Sequence, residues 1–138
     1  MKVIVAIDDK EGMMFNKRRQ SRDKVLRERI LKLTEGSALW MNEYSKTQFM
    51  EDGAIPGHVC VEEAFLQKVP EGAYCFVESD SLASSKEQIE EMVIFRWNRR
   101  YPGDTFLDVK PQDLGFVCKS AEEFAGSSHE KITMEIWG

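Results

Sequence analysis

At 138 residues, with 42% hydrophobic and 31% charged side chains, the chain has the length and ordinary composition of one globular domain spanning residues 1–138. No apolar run approaches the roughly 20 residues needed to cross a bilayer, and Met1 leads into a strand without a signal-peptide pattern, so a cytoplasmic protein with no membrane partner is expected. The net charge of -5 is unevenly spread: residues 1–33 carry ten Lys or Arg against five Asp or Glu, the remainder nine against nineteen, which makes one end basic and the rest acidic.

Residues 3–7 (VIVAI) are apolar without alternation and mostly β-branched, as in a central strand covered on both faces, so all five are expected to be buried. Asp8, Asp9 and Gly12 break the pattern. The loop over residues 11–20 has no apolar anchor after Phe15 and is expected to be mobile, with Lys17, Arg18 and Arg19 contributing little to stability. Ser21 can cap the next helix, whose residues Val25, Leu26, Ile30 and Leu33 share one face. Asp23 lies in its first turn, near the carboxyl end of the first strand, where open α/β sheets place ligands. Glu35 and Gly36 stop the helix, residues 38–41 (ALWM) read as a second strand, and residues 42–50 as a short helix.

Residues 51–58 form a loop around Gly53, Pro56 and Gly57. A helix is expected from Cys60 or Val61 to Pro70, with Ala64, Phe65, Leu66 and Val69 inward. Residues 74–77 (YCFV) are a third strand with residues 78–82 as its exit. Ser84 and Glu87 have the spacing of a capping box for a helix over 85–91, before a strand over 92–97. Strands 116–119 and 131–137, joined by a polar loop over 120–130, read as an antiparallel edge pair. The fold class is therefore α/β: a mostly parallel sheet, helices on both faces and a C-terminal antiparallel hairpin.

Chemical motifs are few. Cys60, Cys75 and Cys118 are far apart and unpaired in spacing, as core residues in a reducing compartment are. His58 and His129 stand alone, so no metal site is expected. His129 beside Ser127 and Ser128 reads as a turn residue, because a triad would need partners that the neighbouring sequence does not supply. Phosphate-loop, G-x-G-x-x-G and G-x-S-x-G patterns are missing. Lys17, Arg18, Arg19 and Arg22 are the candidate anion-binding residues; such a run is more often a solvated face.

The order of several strings resembles the dihydrofolate reductase family. VIVAIDDKEGMM and the helix after it are similar to that family's first strand, methionine loop and substrate-side helix; VEEAF followed by YCFV is similar to its V-D-E-A helix and cofactor strand; GDTFLDVKPQDLGFV and SSHEKITMEIW are similar to its C-terminal G-D-T-x-F-P and last hairpin. Together they cover most of the chain. The resemblance implies that fold, and implies for Asp23 the carboxylate that helps protonate a pterin. Helix-dipole complementation is the alternative role for Asp23.

The departures fall on the family's cofactor positions. Glu78, Ser79 and Asp80 stand where the resemblance implies a glycine run against pyrophosphate, and Asn42, Glu43 and Ser45 where it implies an arginine and threonine gripping phosphate. A strand before Val59 is missing, and Arg96 replaces a substrate-side threonine. A divergent member of this fold that has lost the usual NADPH site, needs no cofactor and acts as a binding or regulatory protein for an unknown small molecule or protein is the expected function. The alternatives are an NADPH-dependent oxidoreductase of a pterin-like substrate with Asp23 as acid, and a nucleic-acid or polyanion binder through residues 17–24, the latter not favoured by the acidic net charge.

Overall fold

The computed structural model describes residues 1–138. In chain order the first half comprises β1 (Lys2–Ile7), β2 (Gly12–Phe15), β3 (Arg18–Arg19), α1 (Lys24–Leu33), β4 (Leu39–Met41), α2 (Glu43–Phe49) and β5 (Val59–Val61). The second comprises β6 (Tyr74–Phe76), β7 (Glu91–Arg96), β8 (Thr105–Phe106), β9 (Cys118–Phe124) and β10 (Ile132–Trp137), with 3-10 turns between them. The main sheet has the spatial order β5-β4-β6-β1-β7-β10-β9. Its first five strands run parallel, and β10 and β9 close it antiparallel.

Strand β1 is the middle of the seven, with Val3 opposite Cys75 on one side and Met92 on the other. Its alternate residues feed two cores: Val3, Val5 and Ile7 point into one, Ile4 into the other. Both faces are covered, so the strand needs no polar alternation. Four of residues 3–7 are buried; Ala6 is half-buried because it borders the cleft described below.

On the Ile4 face, α1 and α2 bring Leu26, Ile30 and Phe49 onto Phe76, Val93 and Phe95, each large side chain contributing about 1.5–3 kcal/mol by leaving water. The Val3 face is covered by β2 and by 3-10 turns at Phe65–Gln67 and Ala83–Gln88, which bring Met13, Met14, Phe65, Leu82 and Ile89 inward. Helices thus lie on both faces, but those of the second face are short 3-10 turns.

Four local expectations are corrected. The helix expected from Cys60 or Val61 is a strand, because Val59 and Val61 pair in parallel with Leu39 and Met41; only one turn follows before Pro70. The helix over 85–91 is the 3-10 turn at Ala83–Gln88, begun without a side-chain cap, so Ser84 and Glu87 form no capping box. Strand β9 runs on to Phe124, through what reads as polar loop. Both faces of this edge strand are exposed and give it no apolar pattern, while β10 fixes its register.

The fourth correction is the segment 11–20, which folds as the β2–β3 hairpin, with Met14 opposite Arg19 and Phe15 opposite Arg18. Asn16 and Lys17 both have positive φ, 51° and 62°, the backbone of a two-residue hairpin turn that matches strand twist. A lysine in that region is strained. Lys17→Gly should raise stability by about 0.5–1 kcal/mol, the relief of left-handed strain less the entropy of glycine, seen as a higher thermal midpoint.

Candidate functional site

The carboxyl ends of β1, β6 and β7, with the start of α1, surround the place where an open parallel sheet presents ligands. Arg19, delivered by β3, fills it. Its Nε donates to Glu78 Oε2 at 2.9 Å and its Nη2 to Glu78 Oε1 at 3.1 Å, a two-point guanidinium–carboxylate pair. Nη2 also donates to the Tyr44 carbonyl at 3.1 Å, the guanidinium sits 4.3 Å over the Tyr44 ring, and the Arg19 amide donates to Tyr44 Oη at 2.8 Å. Gln48 Nε2 donates to Glu78 Oε2 at 3.3 Å. The Arg19 and Glu78 side chains are 15% and 7% exposed. Burial pushes the guanidinium pKa down, but the hydrogen bond and charge of Glu78 outweigh it and the net shift is upward. The space left between Ala6, Leu26, Phe76, Trp97 and this group is about 10 Å³, at the lower limit for one water molecule.

The positions implied for cofactor phosphates are spoken for. Asn42 caps α2 by accepting the Ser45 amide at 2.9 Å, and the Glu43 amide donates to Glu63 Oε1 at 3.2 Å. Glu43 itself is exposed and pairs with Lys46 at 3.8 Å. Ser45 is fully buried and its Oγ has no partner. Glu78 belongs to Arg19, Ser79 is exposed, and Asp80 is half-buried with one carboxylate oxygen unpartnered. Burial, then the nearby charge of Glu63, pushes the Asp80 carboxyl up.

Arg18, Arg19 and Arg22 border one groove and Lys17 another, but two of these charges are already paired. Arg19 is committed to Glu78, against the expectation that it is a surface charge. Arg22 pairs with Glu51, beside Arg27, whose buried guanidinium grips Asp52 at 2.7 and 3.0 Å. Arg18 and Arg22 border an open groove of about 590 Å³ with Ser21, Tyr44 and Ser128. Lys17 borders a neighbouring one with Asn16, Ser79 and Asp104. Arg96 pairs with Glu135 at 3.0 Å across β7 and β10.

Asp23, not Ser21, is the helix cap: its Oδ1 accepts the amides of Val25 at 2.9 Å and Leu26 at 3.2 Å. The same carboxylate accepts the amides of Ser127 and Ser128 at 3.0 and 2.8 Å, and His129 Nδ1 lies 3.1 Å from Oδ2. Asp23 therefore ties α1 to the β9–β10 loop. Burial pushes its carboxyl up, but the Ser128 and Ser127 amides, His129 and the Leu26 amide outweigh that and hold it well below the usual carboxylate range. A Cβ on Gly126 would land on Asp23 Oδ2, so the loop approaches closely because that residue is glycine.

His129, read from the sequence as a turn residue, is buried and is the hub of this corner. Its ring stacks on Trp97 at 4.5 Å, and its Nε2 lies 3.0 Å from both Ser21 Oγ and Tyr101 Oη. None of these partners is within 25 residues in sequence, so no local pattern could have assembled them. The cysteines are free, and burial pushes the Cys75 thiol up to about 12, making it inert core. No cluster of three metal-ligating side chains occurs, and no helix is long and apolar enough to cross a membrane.

No protein-family model and no curated protein matches the sequence. Among solved structures, the fold is similar to that of a dihydrofolate reductase from Enterococcus faecalis, complexed with NADP(H) and RAB-propyl, with a TM-score of 0.65 over 99% of this chain and 94% of that one, at 9% identity. The chain has a dihydrofolate-reductase-like fold.

Proposed function

We propose that this domain is a binding or regulatory protein that has lost the dinucleotide site its fold neighbour uses, and that it does not reduce pterins. The observation that carries the reading is the Arg19–Glu78–Gln48 group in the cleft. A ring entering there must displace Arg19 and leave Glu78 buried without its partner, at a cost of about 3 kcal/mol or more. The amide donors that open α2 already serve Asn42 and Glu63, and Asp80 adds a carboxylate where phosphate would come. Asp23 is held ionised by five hydrogen-bond donors besides any from His129, so it has no proton to give near neutral pH. Engagement of Arg19 and Arg22 with carboxylates argues against a polyanion site on residues 17–24.

The combined loss amounts to about a thousandfold or more in affinity. Calorimetric titration is expected to show no binding of NADPH below millimolar concentration, and the purified protein no reduction of dihydrofolate above background. Micromolar NADPH binding with turnover that Asp23→Asn abolishes would instead restore the oxidoreductase.

A further inference from the structure

Besides docking the β9–β10 loop on α1, the Ser21, His129 and Asp23 side chains form a continuous chain of contacts. Ser21 Oγ lies 3.0 Å from His129 Nε2, and His129 Nδ1 lies 3.1 Å from Asp23 Oδ2, both within the reach expected of a nucleophile, its base and the base's orienting group. Asp23 and His129 are buried, while Ser21 is half-buried and borders the open groove beside Arg18 and Arg22. The ring is held from every side: Trp97 stacks on it, Ser128 Oγ lies 3.1 Å from Nδ1, and Tyr101 Oη lies 3.0 Å from Nε2 and 3.4 Å from Ser21 Oγ. A carboxylate on Nδ1 assigns the ring proton to that nitrogen and leaves Nε2 as the acceptor facing Ser21. The backbone N–H groups of Ser21 and Arg22 make no hydrogen bond within the chain.

We propose that Ser21 is a nucleophile activated by His129 and oriented through Asp23, and that the groove accepts carboxylic esters bearing an anionic group. Ser21 Oγ bonds to the ester carbonyl carbon as its proton passes to Nε2; the C–O bond to the alcohol breaks, and the alcohol leaves with that proton. Water, deprotonated by the same nitrogen, then releases the acid and restores Ser21. Arg18, exposed and engaged in no ion pair, holds the anionic group. The groove adjoins the Arg19 cleft, since Ser21 and Arg19 line both, but the step needs no cofactor.

The test uses the full chain and an alkyl fluorophosphonate, whose P–F bond breaks as the Ser21 Oγ–P bond forms, with fluoride as leaving group. Peptide mass spectrometry is expected to find the adduct on Ser21. Ser21→Ala should abolish it, and His129→Gln should slow it at least tenfold. If His129→Gln fails to fold by circular dichroism, Asp23→Asn decides, with a slowing of at least tenfold expected. An unlabelled Ser21, or labelling at an undiminished rate in the folded His129→Gln or Asp23→Asn chain, overturns the proposal. Neither result bears on NADPH binding, which the titration above measures separately.

Discussion

Replacing Arg19 by alanine is expected to destabilise the protein by about 3 kcal/mol, because removing one member of a buried pair leaves the other uncompensated. Glu78 is 7% exposed and would retain only Gln48 as a donor. The change also removes the contact over the Tyr44 ring and the bond to the Tyr44 carbonyl, so the loss extends to the anchoring of the β2–β3 hairpin on α2. Chemical denaturation should show the midpoint falling with little change in slope. Lys17→Ala and Arg18→Ala, both exposed, should stay within about 0.5 kcal/mol. The double change Arg19→Met with Glu78→Met should recover most of the stability, since apolar replacement of a whole buried pair is often neutral or better. Equal effects at Lys17, Arg18 and Arg19 would mean that the cleft pair contributes nothing and that solvent reaches Glu78.

The contrast among three adjacent basic residues marks the boundary of what the sequence discloses. The central strand was legible because VIVAI meets two cores and carries the apolar pattern of both. Helix α1 was legible from its spacing, and the C-terminal pair from its order, although β9 is longer than its composition suggests. The helices expected after Cys60 and Ser84 failed where segments of only one or two turns were decided by tertiary contact: β5 by pairing with β4, the Ala83–Gln88 turn by the burial of Leu82 and Ile89. Propensity is a weak prior at such lengths.

The site was legible in part. Positions 42, 43, 45 and 78–80 drew notice as departures from the fold's phosphate contacts, and the structure supplies what that comparison could not: Glu78 is half of a pair whose other half, 59 residues earlier, looks like a solvated charge. A run such as KRR gives no sign of which side chain turns inward. The Asn16–Lys17 turn was the available clue, since a two-residue hairpin fixes the alternation of the strand after it and sends Arg18 and Arg19 to opposite faces. His129 had no comparable clue, because its contacts to Ser21, Asp23, Trp97 and Tyr101 exist only once the β9–β10 loop has docked on α1.

That docking yields the second large effect. Asp23→Ala is expected to cost about 4 kcal/mol: roughly 1 for the lost helix cap, with the rest from the Ser127 and Ser128 amides and His129, hydrogen bonds to charge being worth about 1.5–3 each and overlapping. Asp23→Asn keeps one acceptor and should lose about half as much. The pH dependence follows from the carboxyl lying lower in the folded chain than its unfolded value of about 3.9. Its stabilising contribution is complete above that value and is lost as pH falls toward the folded pKa, where the unfolded chain binds the proton first. Asp8, Asp52, Asp108 and Glu90 are shifted the same way, so the unaltered protein should lose stability steeply on acidification below about pH 4. Asp23→Ala should start lower at pH 7 and fall less steeply, so that the two denaturation curves converge in acid. Parallel curves with a constant gap from pH 7 to pH 2 would show that the carboxylate does not hold the β9–β10 loop through its charge.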